Sequence, residues 1–405
     1  MAAALIFWVA AGLLVYSYVV YPQLLGWLTK RRAAAGPAPS PGNRTLKASA
    51  EGASPGAWPK VSILMAVYNE ARVLPAKLES VFALDYPPDK LELVVGSDGS
   101  TDGSDDLLNQ AAAAGLPVRF IRLEGRNGKA SVLNVLRDLP ELGEVLLLTD
   151  ANVLFDRDLL KALVPRLLQP RVGVVSAFVL HSELSLGGIA VQESQYINRE
   201  NTMKHQEGLL WGTMMGAFGA CYAIRRELFP RLPANFLMED FYVTMHVLAA
   251  GFQAVSEPAA RCFEDLPGSI QQEFRRKVRI STGNVQNLKA WRGLLWPPSA
   301  LAFAFFSHKI IRWMGPLLLL ACLLASAVLA ANSAVYSIVL VLQALLMLSS
   351  LMDQGLSRLG IRVGALRLIG YFYTMNLALL VGFYKYFQGV QNSAWQPTAR
   401  TSTHV

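Results

Sequence analysis

Only three cysteines occur in 405 residues, Cys221, Cys262 and Cys322, and they lie far apart. They make neither a disulfide framework nor a zinc-ligand spacing, so a reducing, cytosolic face is the default for the polar part of the chain. Arginine-rich tracts and zinc-finger spacings are also missing, and the scattered basic residues disfavour nucleic acid as a partner. No dinucleotide-type glycine fingerprint is present, which disfavours NAD and FAD. The lack of a Gly-rich loop ending in Lys-Ser or Lys-Thr removes an ATPase. Five histidines are scattered without Ser-His-Asp or Cys-His order, so nothing supports a hydrolase.

Apolar residues are what the chain has in excess. They make up 53% of it, with a mean hydropathy of +0.33, which is too apolar for one soluble globule and implies a membrane protein with a water-facing domain. The net charge of +8 suits anionic headgroups or an anionic substrate such as a nucleotide diphosphate. Residues 5–28 are nearly uncharged and long enough to cross a bilayer of about 30 Å. No positive residue precedes them and no cleavage site follows, so residues 1–29 read as an uncleaved anchor. Lys30, Arg31 and Arg32 follow directly, which places the N-terminus outside and the next segment in the cytoplasm. Residues 30–59, rich in Ala, Pro, Gly and Ser, read as a linker.

From 60 to 292 short β-rich runs alternate with amphipathic helical stretches. Strands are expected at 61–67, 91–98, 118–123, 145–149 and 173–180, with helices at 70–84, 102–114 and 129–136. Such alternation implies an α/β, Rossmann-like, mostly parallel sheet. After 156 the regularity fades into a polar and aromatic stretch at 192–211, which suits a nucleotide-binding first half and an acceptor-binding second half. Residues 293–314 carry His308, Lys309, Arg312 and Trp313 among apolar residues and read as an amphipathic helix in the membrane interface. Three apolar stretches follow within 315–390, at 315–331, 334–352 and 366–386, making about four transmembrane helices in all. Arg358, Arg362 and Arg367 place the last loop inside. The polar tail at 391–405 then lies outside, or inside if one span is re-entrant.

Strand ends carry the candidate chemistry. The run 145–149 stops on Thr149, Asp150 and Asn152. In open α/β sheets ligands bind at such carboxyl edges, and an Asp and an Asn two apart could hold a hard cation against a diphosphate. An Asx-turn that only ends the strand is the alternative. Ala66, Tyr68 and Glu70 end the first strand and could hold a base or sugar. Asp98 ends the second with a glycine after it, while Asp102 or Thr101 could simply cap the next helix. Glu239 and Asp240 open an apolar helix, where carboxylates also serve as dipole partners. The run at 271–279 is cationic and reads either as a headgroup-binding face or as a diphosphate clamp. The small residues at 212–226 let a backbone approach an acceptor closely.

Taken in order, the turns at 66–70 and 97–104, Gly125-Arg126-Asn127-Gly128-Lys129-Ala130, 149–152, 216–220, Glu239-Asp240 and 275–279 resemble the membrane-bound family-2 glycosyltransferases with a GT-A fold, a group that includes cellulose, hyaluronan and poly-N-acetylglucosamine synthases. The resemblance implies an inverting transfer from a UDP-sugar to a polysaccharide or lipid acceptor. The enzyme would be multi-pass, with its catalytic domain at the cytoplasmic face of the cell membrane. It further implies that Ala66, Tyr68, Glu70 and Asp98 line the uridine pocket and that Lys129, Arg276 and Arg279 meet the diphosphate. By the same resemblance Asp150 and Asn152 hold Mg²⁺ or Mn²⁺, Asp240 is the base beside Glu239, and Gly216 and Gly219 meet the acceptor. Polymerising relatives carry Gln-x-x-Arg-Trp, and here Arg276 stands for the Gln and Ile280 for the Trp. One competing reading is a single-sugar, glycolipid-forming enzyme. Another is a non-catalytic, nucleotide-sugar-binding or lipid-binding partner among the subunits of a larger synthase complex. A transporter is disfavoured by how little charge the spans contain.

Overall fold

The computed structural model describes residues 1–35, 58–181, 190–265, 269–359, 361 and 363–390. Most of the expected linker and the whole of the tail at 391–405 lie outside these residues. The described chain forms two compact units. One holds residues 1–24, 190–192 and 269–389, the other residues 25–181 and 193–265. Helix α1 (Ala2–Ala34) opens the chain, with a π-helical turn at Tyr16–Val20.

The second unit is built on an eight-stranded sheet. Its strands are β1 (Val61–Val67), β2 (Leu91–Ser97), β3 (Val118–Arg122), β4 (Val145–Thr149), β5 (Val153–Phe155), β6 (Val172–Leu180), β7 (Cys221–Arg225) and β8 (Gln253–Glu264). Every residue of β1, β2 and β4 is buried, which explains why these segments read as unbroken apolar runs rather than alternating ones. Helices α2 (Leu74–Phe82), α3 (Ser104–Ala113), α4 (Lys129–Arg137), α5 (Leu159–Leu167), α6 (Ala190–Trp211) and α7 (Glu239–Ala249) intervene. The order is β3-β2-β1-β4-β7-β6-β8-β5.

The first half of the sheet, β3-β2-β1-β4, is parallel throughout. The second half is mixed, because β7 runs antiparallel to both β4 and β6, and β5 runs antiparallel to β8. The expectation of a mostly parallel sheet therefore describes the first half, and the whole is a mixed α/β sheet. Register brings one edge together: Val67 pairs with Ser97, and Thr149 pairs with Met65 on one side and Cys221 on the other. The carboxyl ends of β1, β2 and β4 thus emerge beside the start of β7.

The other unit contains α8 (Ile270–Trp291), α9 (Ala300–Trp313), α10 (Gly315–Ala330), α11 (Ala334–Met347), α12 (Ser349–Arg358) and α13 (Gly364–Gln388). Among the described residues two helices, α1 and α13, are long and apolar enough to cross a membrane, or three spans if the pair α9 and α10, bent by 60°, counts as one, against the expected four or so. Helix α11 is a shorter apolar helix of 14 residues. The stretch 293–314, expected to lie in the membrane interface, contains α9, which meets α10 at the 60° bend.

Close approach holds α8 to α13. Ser281 donates to the Leu379 carbonyl at 2.7 Å and Thr282 to that of Gly382 at 3.1 Å. A Cβ on Gly382 would stand 2.4 Å from that of Ser281 and 2.6 Å from the Val278 carbonyl oxygen. Small residues at such contacts let apolar helices pack backbone to backbone. Gly382→Ala is expected to destabilise the protein by about 1–3 kcal/mol, the usual range for overpacking. A thermal melt in detergent reads this, and an unchanged midpoint would mean that the helices separate freely.

Candidate active site

The loops after β1 and β2 are stitched together by short polar side chains. Asn69 takes a positive φ of 52°, which asparagine tolerates better than most residues. Its amide donates to Ser100 Oγ at 3.1 Å, while its Oδ1 accepts the Thr101 amide at 2.8 Å. Ser104 Oγ accepts the Glu70 amide at 2.9 Å. Asp102 accepts the amides of Ala71 and Ser104, at 2.9 and 3.0 Å. Burial would raise the Asp102 carboxyl, but these donors and the Ser104 hydroxyl outweigh it and hold it below the usual carboxylate range. Asp102 therefore closes a loop, while the N-cap of α3 is Gly103, with no side-chain capping bond.

Asp98, expected to line the nucleotide pocket, directly follows β2. It is fully buried and accepts the amides of Asn127 at 2.6 Å and Gly128 at 3.1 Å, with Arg126 Nε at 3.3 Å. Its carboxylate thus organises the 125–129 turn. The Arg126 guanidinium in turn lies 3.1 Å from the centre of the Tyr68 ring, a cation–π stack. Gly99, at φ +76°, passes so close to Gly125 that a Cβ would meet its carbonyl oxygen at 2.6 Å. Ala66 is buried opposite Gly96 in the β1–β2 pair. Ala66, Tyr68, Glu70 and Asp98 therefore share one corner of the edge, with Arg126 covering the aromatic face.

The second cluster is ionic. Lys129, the first residue of α4, bridges Asp150 Oδ1 at 2.7 Å and Glu239 Oε1 at 2.6 Å. Burial pulls its ammonium down, but the two carboxylates prevail and hold it above the usual lysine range. Asp240 Oδ2 accepts the Gly219 amide at 2.9 Å, and Oδ1 accepts that of Phe241 at 2.8 Å. Burial first, then the neighbouring Glu239, push its carboxyl up to about 6, against the pull of Lys129 and Lys204. A carboxylate poised there can take a proton near neutral pH.

Gly216 and Gly219, expected at the acceptor, both lie against α7. A Cβ on Gly216 would meet the Phe241 ring at 2.6 Å, and one on Gly219 would meet Asp240 Oδ2 at 3.1 Å. The space they leave admits the Phe241 and Asp240 side chains. Arg276 and Arg279 stand on α8, in the other unit, where Arg276 and Lys277 pair with the buried Glu273 at 2.9 and 3.2 Å.

Three buried groups near this edge carry no signal that periodicity could isolate. Lys77 lies on the inward face of α2 with Leu74 and Val81, an apolar face in which a lysine is the anomaly. Burial lowers its amine to about 7. Tyr222 on β7 has a buried hydroxyl without a hydrogen-bond partner. Its phenol is raised by burial and then by Glu239, Asp240 and Asp150. Lys204 on α6 lies over the Phe218 ring at 3.2 Å.

Known proteins resemble this chain in sequence and fold. Residues 62–232 match the family described as Glycosyl transferase family 2. The chain is 27% identical over 239 residues to a probable glycosyltransferase, YdaM, of Bacillus subtilis, covering 56% of this chain and 55% of that one. It is 24% identical over 228 residues to a poly-beta-1,6-N-acetyl-D-glucosamine synthase of Staphylococcus epidermidis, covering 55% and 54%. The chain thus spans about half the length of the curated relatives it matches. Among solved structures, a mannosyltransferase, PcManGT, from Pyrobaculum calidifontis in complex with GDP-Man and Mn²⁺ superposes with a TM-score of 0.69 at 25% identity, covering 94% of this chain and 99% of that one. Through residues 62–232, this chain is similar to the family-2 glycosyl transferases.

Proposed function

We propose that the protein transfers a sugar from a nucleoside-diphosphate donor, with inversion, to a lipid or polysaccharide acceptor at a membrane. The observation that supports this best is the convergence of Asp150, Lys129 and Glu239 beside Asp240 at the carboxyl edge of β4. Asp240 takes the proton of the acceptor hydroxyl as that oxygen attacks the anomeric carbon. The bond to the donor diphosphate breaks on the opposite face, and Lys129 meets the charge that develops on the leaving group.

Asp150 and Asn152 fit a hard divalent cation. Asp150 supplies a carboxylate whose side chain is 36% exposed. The Asn152 amide nitrogen is buried without an acceptor, so no hydrogen bond opposes turning its oxygen inward. Among the described residues no group of three or more His, Cys, Asp and Glu could hold a metal. The diphosphate and water would complete the shell, as is usual for Mg²⁺. When bound, Mg²⁺ or Mn²⁺ supplies neutralising charge to the departing diphosphate.

A UDP-sugar is the donor that the motifs favour, and the GDP-Man in the similar mannosyltransferase makes GDP-sugars the other set to try. Release of UDP or GDP from a panel of both, using full-length protein in detergent with Mg²⁺ or Mn²⁺, tests the reading. Metal-dependent release from one donor is expected, and none from any donor would overturn it. Transfer of a single sugar to a lipid is the second reading. Two observations favour it: Ile280 in place of Trp, and the near-complete coverage of a mannosyltransferase. Product sizing separates the two, since a ladder of lengths means a polymer.

A further inference from the structure

Lys77 is a fully buried amine of the sheet unit, among the described residues, that the transfer chemistry leaves unused. Its Nζ donates to Thr149 Oγ1 at 2.9 Å and to the Val153 carbonyl at 2.6 Å. These two residues bracket the 150–152 turn on either side. The Phe155 ring, 3.6 Å from Nζ, closes the remaining side of the amine.

Thr149 passes the link onward. Its hydroxyl accepts from Lys77 and donates to the Ala220 carbonyl at 2.8 Å. The neighbouring Gly219 amide is the group that holds Asp240. One buried amine is thereby connected through Thr149 to the strand end that carries Asp150, and through Ala220 to the loop that seats the base. Burying an amine is unfavourable unless its donors are satisfied, and a leucine or methionine would fill this apolar helix face without that cost. What the lysine adds is directional: two hydrogen bonds that set the spacing between the ends of the turn.

We propose that Lys77 is a positioning residue for transfer, fixing the 150–152 turn and the 216–220 loop in one register so that the metal edge and the base are set together. The proposal rests on the reading of Asp150 and Asn152 as metal ligands. Removing the amine leaves the Val153 amide on the Asp150 carbonyl at 3.3 Å and the Thr149 hydroxyl on the Ala220 carbonyl at 2.8 Å, but takes away the donor that orients that hydroxyl and ties Thr149 to Val153.

Mn²⁺ binding to full-length, substrate-free protein, followed by electron paramagnetic resonance, tests this beside steady-state transfer. Lys77→Met is expected to weaken Mn²⁺ binding about tenfold and to lower kcat more than it raises KM for the donor. Thr149→Val, which keeps the shape and removes the linking hydroxyl, is expected to lower kcat in the same way. The double variant should then be little worse than either single one, as for residues acting in one network. A Lys77→Met protein with wild-type Mn²⁺ affinity and only a lower melting temperature would overturn the role of Lys77. Effects that simply add in the double variant would do the same. If Lys77→Met does not fold, Thr149→Val carries the test alone, and wild-type kcat there overturns the proposal. A wild-type protein that binds no Mn²⁺ overturns the metal edge itself, an outcome distinct from the others.

Discussion

Asp240→Asn is expected to slow transfer by roughly 10²–10⁴-fold, the usual contribution of a positioned base, without lowering the melting temperature. The amide oxygen can still accept the Gly219 N–H, now 2.9 Å from Asp240 Oδ2, so the loop keeps its tie. The capacity to take a proton is lost, together with the acceptor for the Phe241 N–H. The pH dependence has a definite sign. The base works ionised, so kcat/KM should rise with pH through the carboxyl's value of about 6 and level off above it. A raised carboxyl also means that the folded protein holds this proton more tightly than the unfolded chain. Stability contributed at Asp240 therefore falls as pH rises from 3.8 towards about 6, and stays lower above that. Asparagine carries no charge to desolvate, so above pH 6 the variant should melt no lower than wild type. A variant that retains full transfer, or wild-type activity that is flat between pH 5 and 7, would remove Asp240 from the role of base.

Lys129→Met should damage both stability and activity. It removes the shared partner of Asp150 and Glu239 and leaves Glu239, only 5% exposed, with a buried charge. Breaking a wholly buried pair costs about 3–5 kcal/mol. Here roughly 2–4 is expected, because Asp150 keeps a third of its side chain in solvent and is screened. Transfer should fall by at least about a hundredfold, as when one charge-stabilising group is lost. The two effects separate by measuring activity well below the variant's melting temperature. A loss that disappears on cooling would mean that Lys129 only holds the fold together.

These two residues show how unevenly the site was legible. Lys129, Asp150, Glu239 and Asp240 all fall at the junction of an apolar run with a polar cluster, where periodicity points to a strand end or a helix start. Their meeting could not be read from spacing, since 110 residues separate Lys129 from Glu239 and it takes the register of β4 against β7 to join them. Asp98 shows the same limit. Its place at the end of β2 was clear, but its burial beneath Asn127, Gly128 and Arg126 depends on the fold of a loop 30 residues on. Helix α6 escaped notice because Glu200, Asn201, Lys204 and Glu207 are all buried, so its inner face is polar and gives no apolar stripe. Strand β5 is three residues long, and β8 alternates too irregularly around its bulges for a period of two to emerge.

The sequence by itself determined the apolar ends, the parallel half of the sheet and the positions of most ionisable groups along its edge. Those features follow from local period and from where each run stops. Only the tertiary structure decided how many helices reach membrane length unbroken, which way β7 and β5 run, and which charges meet. Backbone pairing across long stretches of chain and the desolvation of one charge by another are non-local effects. The same distinction applies to Lys77: its residue type is in the sequence, but its bonds to Thr149 and Val153 exist only once α2 packs beneath β4 and β5.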